Sequence, residues 1–303
     1  MRISDSWARN ARFVLLACAA AALTPAVPRA QTTDVQIILS RVGERIAEYY
    51  KHVQNIVCNE KSTVQPLSNT MSFPTGAFAR ITESELRIES DQAADGDTPS
   101  EATFVRKLLR VNGRPAREKD RTDTAGCTDP NPLTPEPLAF LLPANRGEYT
   151  FTFGGFGKGK DGGALIIDFA SPGQGRDGKL LDDPNGRPDC FGWELPARIK
   201  GRVWVDSATF DVLRVEEHMV APGSVRVSPE QQRKHNLPDW ITVDRYDKTI
   251  RLRKASFKDP DETMLLPESI EQVILIRNAL QSTRREQRFS DYRRFLTTGR
   301  IVK

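Results

Sequence analysis

Histidine and cysteine are both rare in this chain of 303 residues, which holds three His and four Cys. The three histidines, His52, His218 and His235, have no Cys or His partner at the spacing of a zinc site, so we expect no metal centre and no cofactor. The same scarcity argues against a Ser-His-Asp or Cys-His scheme, and no G-x-S-x-G motif is present. Without a catalytic signature, we expect a protein that is not an enzyme.

Long apolar runs are also missing. The run from Phe13 to Leu23 is shorter than the roughly 18 residues that a membrane-spanning helix needs. It follows Arg2, Arg9 and Arg12 and precedes a stretch of small residues, which is the order of a secretion signal. We therefore predict that residues 1–30 are a cleaved signal peptide, that the protein is periplasmic or secreted, and that it has no transmembrane helix.

Excess charge is small once this segment is set aside. Residues 1–30 carry four Arg and one Asp, so the formal net charge of +4 falls to about +1 over residues 31–303. Nucleic-acid binding relies on many Lys and Arg that neutralise phosphates, and no basic stripe is evident. We therefore expect no nucleic-acid partner. With 38% hydrophobic residues the chain can supply a core, and we predict a single domain over residues 31–303.

Three cysteines lie outside the predicted signal peptide: Cys58, Cys127 and Cys190. An odd number in a compartment that permits disulfides predicts one disulfide and one free thiol, and the sequence does not say which two residues pair. We interpret Cys190 as a half-cystine or a buried thiol rather than as a nucleophile.

Hydrophobic periodicity predicts one helix followed by many strands. Apolar residues recur every three or four positions from Val35 to Val53, which indicates an amphipathic helix that begins near a capping box at Thr33 and Gln36. Its wide apolar stripe predicts packing against a sheet. Asn112-Gly113 suits a type I′ hairpin. We therefore predict a mostly β (α+β) fold with an antiparallel sheet. Alternating segments lie at 57–64, 77–88, 104–111, 149–153, 165–169, 199–205, 210–220, 240–252 and 264–277.

Three loop motifs have competing interpretations. Gly157 to Gly162 matches G-x-G-x-x-G, but a strand rather than a helix follows, so we predict a hairpin loop instead of a nucleotide site. Residues 171–189 are rich in Gly, Pro and Asp, which is typical of a long loop that is either functional or loosely ordered. Asp182 to Gly186 misses the first Asp and the closing Glu of a calcium loop. We interpret it as a turn, with a weak calcium site as the alternative.

Carboxylates and arginines leave two further alternatives. Glu216 and Glu271 could act as acid and base on neighbouring strands, as an exported hydrolase would require, but we interpret them as solvated strand faces. The tail from Ser282 holds Arg284, Arg285, Arg288, Arg293 and Arg294, interleaved with Phe289, Tyr292 and Phe295. We interpret this tail as an edge strand that charge protects from aggregation. The alternative is a contact with anionic lipid headgroups or an acidic partner.

Several short phrases of the chain follow one characteristic order of elements. A strand, an aspartate turn and a returning strand are preceded by a leading helix and a first hairpin and followed by a later strand pair. The phrases are Gly201-Arg202-Val203-Trp204-Val205-Asp206, Thr209, Leu213-Arg214-Val215-Glu216, Val111-Asn112-Gly113-Arg114, the strand with Tyr246 and the strand from Leu265 to Arg277. In these phrases, and in element order across roughly residues 34–296, the chain resembles a known family, the LolA-like periplasmic proteins. The chain is still more similar to uncharacterised secreted bacterial proteins that share this hairpin and a closing Tyr292-Arg293-Arg294-Phe295.

The resemblance implies a curved antiparallel sheet or half-barrel around a helix, with binding rather than chemistry as the function. Its concave apolar face would receive a hydrophobic ligand, a lipid or a lipoprotein acyl chain. The alternatives are a periplasmic protein-interaction or envelope-sensor protein and, further, an exported carboxylate-dependent hydrolase. In this picture the inward residues bind the ligand, whereas the interpretation that we favour for each residue taken singly is a core residue. The candidates are Phe151, Phe153, Val203, Val205, Leu213 and Val215.

Overall fold

One curved, open sheet of fourteen strands dominates the described part of the chain in the computed structural model. The described residues also include three helices. The structure describes residues 30–52, 56–68, 70–90, 102–121, 138–157, 162–172, 178–182, 191–194, 198–258, 261–278 and 280–294. The predicted signal peptide, apart from Ala30, lies outside these ranges.

The elements have the following bounds. The helices are α1 (Ala30–His52), α2 (Glu118–Arg121) and α3 (Pro229–His235). The first seven strands are β1 (Ile56–Leu67), β2 (Arg80–Ser90), β3 (Ala102–Val111), β4 (Arg114–Pro115), β5 (Thr150–Phe156), β6 (Ala164–Ala170) and β7 (Gly178–Asp182). The other seven are β8 (Phe191–Glu194), β9 (Ile199–Asp206), β10 (Val212–Met219), β11 (Gly223–Arg226), β12 (Trp240–Lys258), β13 (Asp261–Arg277) and β14 (Ser282–Arg294). Residues 138–149, which we call the connecting segment, contain two 3-10 turns at Ala139–Leu141 and Arg146–Glu148.

Most neighbours in the sheet run antiparallel. The strand order is β4-β3-β2-β1-β14-β13-β12-β10-β9-β6-β5, and β11, β7 and β8 continue from β12. The contact between β7 and β11, at Gly178 and Val225, is parallel. The predicted mostly β fold, a curved antiparallel sheet with a leading helix, is thus confirmed, with this one parallel contact as an exception.

The amphipathic pattern of α1 is buried against one face of the sheet, which we call the inner face. Val35, Leu39, Val42 and Ile46 are almost fully buried in the main apolar cluster. Burial of such side chains contributes about 1.5–3 kcal/mol each, so the stripe that predicts the helix also attaches it to the sheet. The helix begins at Ala30, so the predicted start near Thr33 is wrong by three residues.

The predicted turns are present. Asn112 and Gly113 have φ of 47° and 80°, as a type I′ hairpin requires. The Asp206 carboxylate accepts hydrogen bonds from the backbone N–H groups of Ala208 and Thr209, both 2.9 Å, which turns the chain from β9 into β10. The strands β5 and β6 that flank the G-x-G-x-x-G motif pair antiparallel, and the Gly157 N–H donates to the Ala164 carbonyl (2.8 Å), so the hairpin prediction is confirmed, while residues 158–161 of the motif lie outside the described residues.

Two expectations about chain organisation are wrong. The arginine-rich strand β14 is not an edge strand, because it pairs with β1 on one side and with β13 on the other. The 171–189 segment is not all loop, because it contains β7, where Leu180 joins a second apolar cluster. The rest of the Asp182 to Gly186 motif lies outside the described residues. None of the helices in the described ranges is long and apolar enough to span a membrane.

Candidate functional site

The inner face of the sheet carries two apolar clusters with a row of polar side chains between them. On β13, Gln272 lies between Ile270 of the first cluster and Ile274 of the second. The strands β10 and β12 repeat this order because side chains on one face of a strand recur every second residue, and Arg285 on β14 continues the polar row. The paired residues of the row are Glu217, Lys248, Gln272 and Arg285.

A buried ion pair forms one end of this row. The Lys248 Nζ lies 2.8 Å from the Glu217 Oε2, and the two side chains are only 18% and 14% exposed. Burial lowers the pKa of Lys248, but the charge of Glu217 and hydrogen bonds to Glu217 and Tyr246 outweigh it, so this pKa lies above its ordinary value. Burial, followed by the negative charges of Glu217 and Glu148, raises the pKa of Tyr149. Tyr149 therefore lies within electrostatic reach of the ion pair.

Tyr149 also borders a cleft of about 680 Å³ between α1, the connecting segment and β5. This volume falls within the roughly 300–1,000 Å³ of sites for small ligands. The strand β5 ends the main strand order, so its outer edge has no sheet partner among the described strands. The lining residues are Gln36, Leu39, Ser40, Pro143, Arg146, Gly147, Tyr149, Thr150 and Phe151.

Two aromatic rings, those of Tyr149 and Phe151, line the sheet side of this cleft, and Phe140 and Phe169 pack against them without lining it. Phe140, Tyr149, Phe151 and Phe169 contact one another at centroid separations of 4.7–6.4 Å, and we call them the aromatic wall. Phe169 lies on Gly201 of the next strand, where a Cβ would be only 2.3 Å from the ring. The glycine therefore leaves the space that Phe169 occupies.

Arg146 forms part of the helix side of the cleft. Its Nη2 lies 3.4 Å from the position that a Cβ on Gly43 would take, and Pro143 Cδ lies equally close. The connecting segment therefore packs directly on α1 at this position. The Arg146 guanidinium makes no hydrogen bond or ion pair with any residue in the described ranges. Among those residues, the cleft lining includes no carboxylate.

The six predicted ligand-binding residues divide into three groups. Phe151 lines the cleft, and Phe153 is partly buried beside the main cluster. Val203, Val205 and Val215 are completely buried in the cluster that α1 covers, so their inner face is already occupied by the chain itself.

Leu213 lies on the opposite, outer face of the sheet. It packs against Ala164, Ile166 and Trp204, because a β-bulge between Val212 and Arg214 reverses the expected alternation. The structure therefore does not bring Leu213 together with the other candidates. Tyr149 alternates with Phe151 in the sequence, whereas nothing in the sequence marks Arg146 as a cleft residue.

The proposed carboxylate pair does not form. Glu216 is on β10 and Glu271 on β13, and β12 lies between them, so the expectation of neighbouring strands is wrong. Both side chains are about two-fifths exposed on the outer face. Glu216 lies 3.5 Å from Arg214 and Glu271 lies 3.9 Å from Arg284. This arrangement fits the interpretation of solvated strand faces.

Cys58 is a free, buried thiol on β1. Burial, together with the nearby charge of Glu60, raises its pKa to about 12, so it stays protonated at neutral pH. Cys127 and Cys190 lie outside the described residues, so the disulfide stays a prediction. Within the described ranges, no group of three or more His, Cys, Asp or Glu side chains could hold a metal ion.

Comparisons with known proteins place few constraints on this site. No family model matches the chain, and no curated protein matches it. Among solved structures the chain is similar to a LolA superfamily protein from Nitrosomonas europaea, with 12% sequence identity and a TM-score of 0.33 over 88% of this chain and 97% of that chain. A likeness at this level assigns neither family nor function.

Proposed function

We propose that this protein binds a hydrophobic or amphipathic small molecule without catalysis, and that the ligand lies in the cleft between α1 and β5. The observation that carries this proposal is the aromatic wall at the border of a cleft of about 680 Å³. Aromatic side chains on a sheet offer a large apolar surface at small entropic cost. The export that residues 1–30 predict would place this binding in the periplasm or the medium.

The cleft lies between the sheet on one side and the helix α1 on the other. Its sheet side is set by β5 and β6, where Phe151 is paired with Phe169. Its other side is the N-terminal half of α1. Further along that helix, Arg45 donates two hydrogen bonds of 3.1 Å to Asp211 beside the turn between β9 and β10. This ion pair attaches the C-terminal half of α1 to the sheet. It does not restrain the N-terminal half of the helix, which lines the cleft.

A neutral apolar fluorescent probe, N-phenyl-1-naphthylamine, tests the proposal with a matched pair of variants. Phe151→Ser removes a ring from the cleft, and we expect its affinity to fall about tenfold, because a lost aromatic contact of roughly 1.4 kcal/mol corresponds to that factor. Phe156→Ser changes a ring on the same strand that is 67% exposed and does not line the cleft, so its affinity should equal that of the wild type. Equal loss in both variants, or no probe binding at all, would contradict the proposal.

Native mass spectrometry of the protein purified from a periplasm, followed by organic extraction, identifies the natural ligand. We expect a bound species that Phe151→Ser retains in smaller amount. A mass without any adduct in both proteins would be evidence against a tightly held ligand.

A protein partner is the second candidate function. The loop between β1 and β2 exposes three large apolar side chains, Met71, Phe73 and Phe78, the last of them 85% exposed. Such an exposed group of apolar side chains is a common feature of protein-interaction surfaces. A photo-crosslinking amino acid at position 78 should then capture one discrete protein in cells, while the same amino acid at Phe156 should not.

A further inference from the structure

We propose that the ligand of the cleft carries an anionic headgroup, a carboxylate or a phosphate, and that Arg146 holds it. This inference rests on the proposed function, since it names the chemical class of the ligand for the same site. It is carried by the placement and the charge of one side chain.

The position of Arg146 is set by its surroundings. The Nη2 atom lies at the surface of α1, 3.4 Å from the Cβ position of Gly43, and the side chain is half-buried. Pro143 Cδ lies equally close to this position, so both residues of the connecting segment pack on the same part of α1. The guanidinium therefore lies against α1 at the wall of the cleft.

No carboxylate pairs with the Arg146 guanidinium within the described chain. Several arginines on the strands have carboxylate partners, as in the paired contacts of Arg202 with Asp168 and of Arg277 with Asp244. Arg146 makes no such contact in the described ranges. A cation without a counter-charge in a partly enclosed cleft favours an anionic ligand, and a guanidinium matches the planar geometry of a carboxylate or phosphate.

Two neutral polar side chains lie on the same wall. Gln36 and Ser40 are four residues apart on α1, so they share one helix face, and both line the cleft beside Arg146. An amide and a hydroxyl can each donate a hydrogen bond to an oxygen-rich headgroup. Because Phe151 and Tyr149 form the other side of the cleft, the site suits a molecule with an apolar chain and an anionic end.

Isothermal titration calorimetry with dodecanoate and dodecanol tests the inference, because these two ligands differ at the headgroup. We expect the wild type to bind dodecanoate about tenfold more tightly than dodecanol. Arg146→Gln should bind both ligands equally, with unchanged affinity for dodecanol, and Arg146→Lys should keep part of the preference. Arg288→Gln removes the same charge from the outer face and should behave as the wild type.

The outcomes separate this inference from the function on which it rests. If dodecanol and dodecanoate bind equally well to the wild type, or Arg146→Gln keeps the preference, the headgroup assignment is wrong while hydrophobic binding stands. If neither ligand nor N-phenyl-1-naphthylamine binds, the proposed function itself fails. Inorganic phosphate provides the last comparison. If it binds as tightly as dodecanoate and depends equally on Arg146, the site takes a free oxyanion, and the amphiphile assignment is wrong.

Discussion

Replacing Gly201 with alanine tests the packing that positions the aromatic wall. A Cβ at this residue would lie 2.3 Å from the Phe169 ring and 2.3 Å from the carbonyl oxygen of Glu216 on the adjacent strand. The carbonyl belongs to the backbone of the sheet, so it has little freedom to move. Either β9 and β10 must separate locally, or Phe169 must leave its place and the carbonyl must also shift.

The expected loss of stability follows from these two contacts. Insertion of a methyl group into a close-packed site costs about 1–3 kcal/mol. Displacement of Phe169 also weakens its contact with Phe140, whose ring centroid is 4.7 Å away, by about 0.5–1.5 kcal/mol. Gly201→Ala should therefore lower the free energy of unfolding by about 2–4 kcal/mol.

Urea denaturation of Gly201→Ala beside Gly147→Ala measures this difference. A Cβ at Gly147 would meet no atom within 4 Å, so that variant should lie within about 0.5 kcal/mol of the wild type or slightly above it. The folded Gly201→Ala protein should also bind N-phenyl-1-naphthylamine more weakly. A loss of less than about 1 kcal/mol at Gly201 would refute the placement of Phe169 on this glycine.

Two further predictions concern buried ionisable groups on β1. The Glu60 carboxylate is 3% exposed and accepts a 2.6 Å hydrogen bond from Arg106 Nε, so Arg106→Met should cost about 3–5 kcal/mol in urea unfolding, and adding Glu60→Gln should recover most of it. Equal losses in the single and double variants would contradict this. Because burial raises the pKa of Cys58 from 9.0 to about 12, the unfolded chain loses this proton first, and stability should fall as pH rises above 9. Between pH 8 and 10 the wild type should lose about 1.4 kcal/mol more than Cys58→Ala, and equal losses would exclude this titration.

Local patterns in the sequence determined which element each segment forms. The three- and four-residue spacing that begins at Val35 is enough to predict α1, because a helix brings such residues onto one face. Asn112 and Gly113 predict their own hairpin, because both readily adopt positive φ. The resemblance to LolA-like proteins predicted the curved sheet, and most strand segments need only their alternation.

Only the tertiary structure decided which elements are neighbours and which side chains meet. The sequence predicts a strand at β14, but the pairing of β14 between β1 and β13 depends on contacts distant in sequence. A single bulged residue moved Leu213 to the outer face, since side-chain parity is lost at a bulge. At the cleft, Arg146 packs on α1 beside Gly43, which lies about one hundred residues away in the sequence. No local pattern encodes such a contact, because it depends on how separate elements pack.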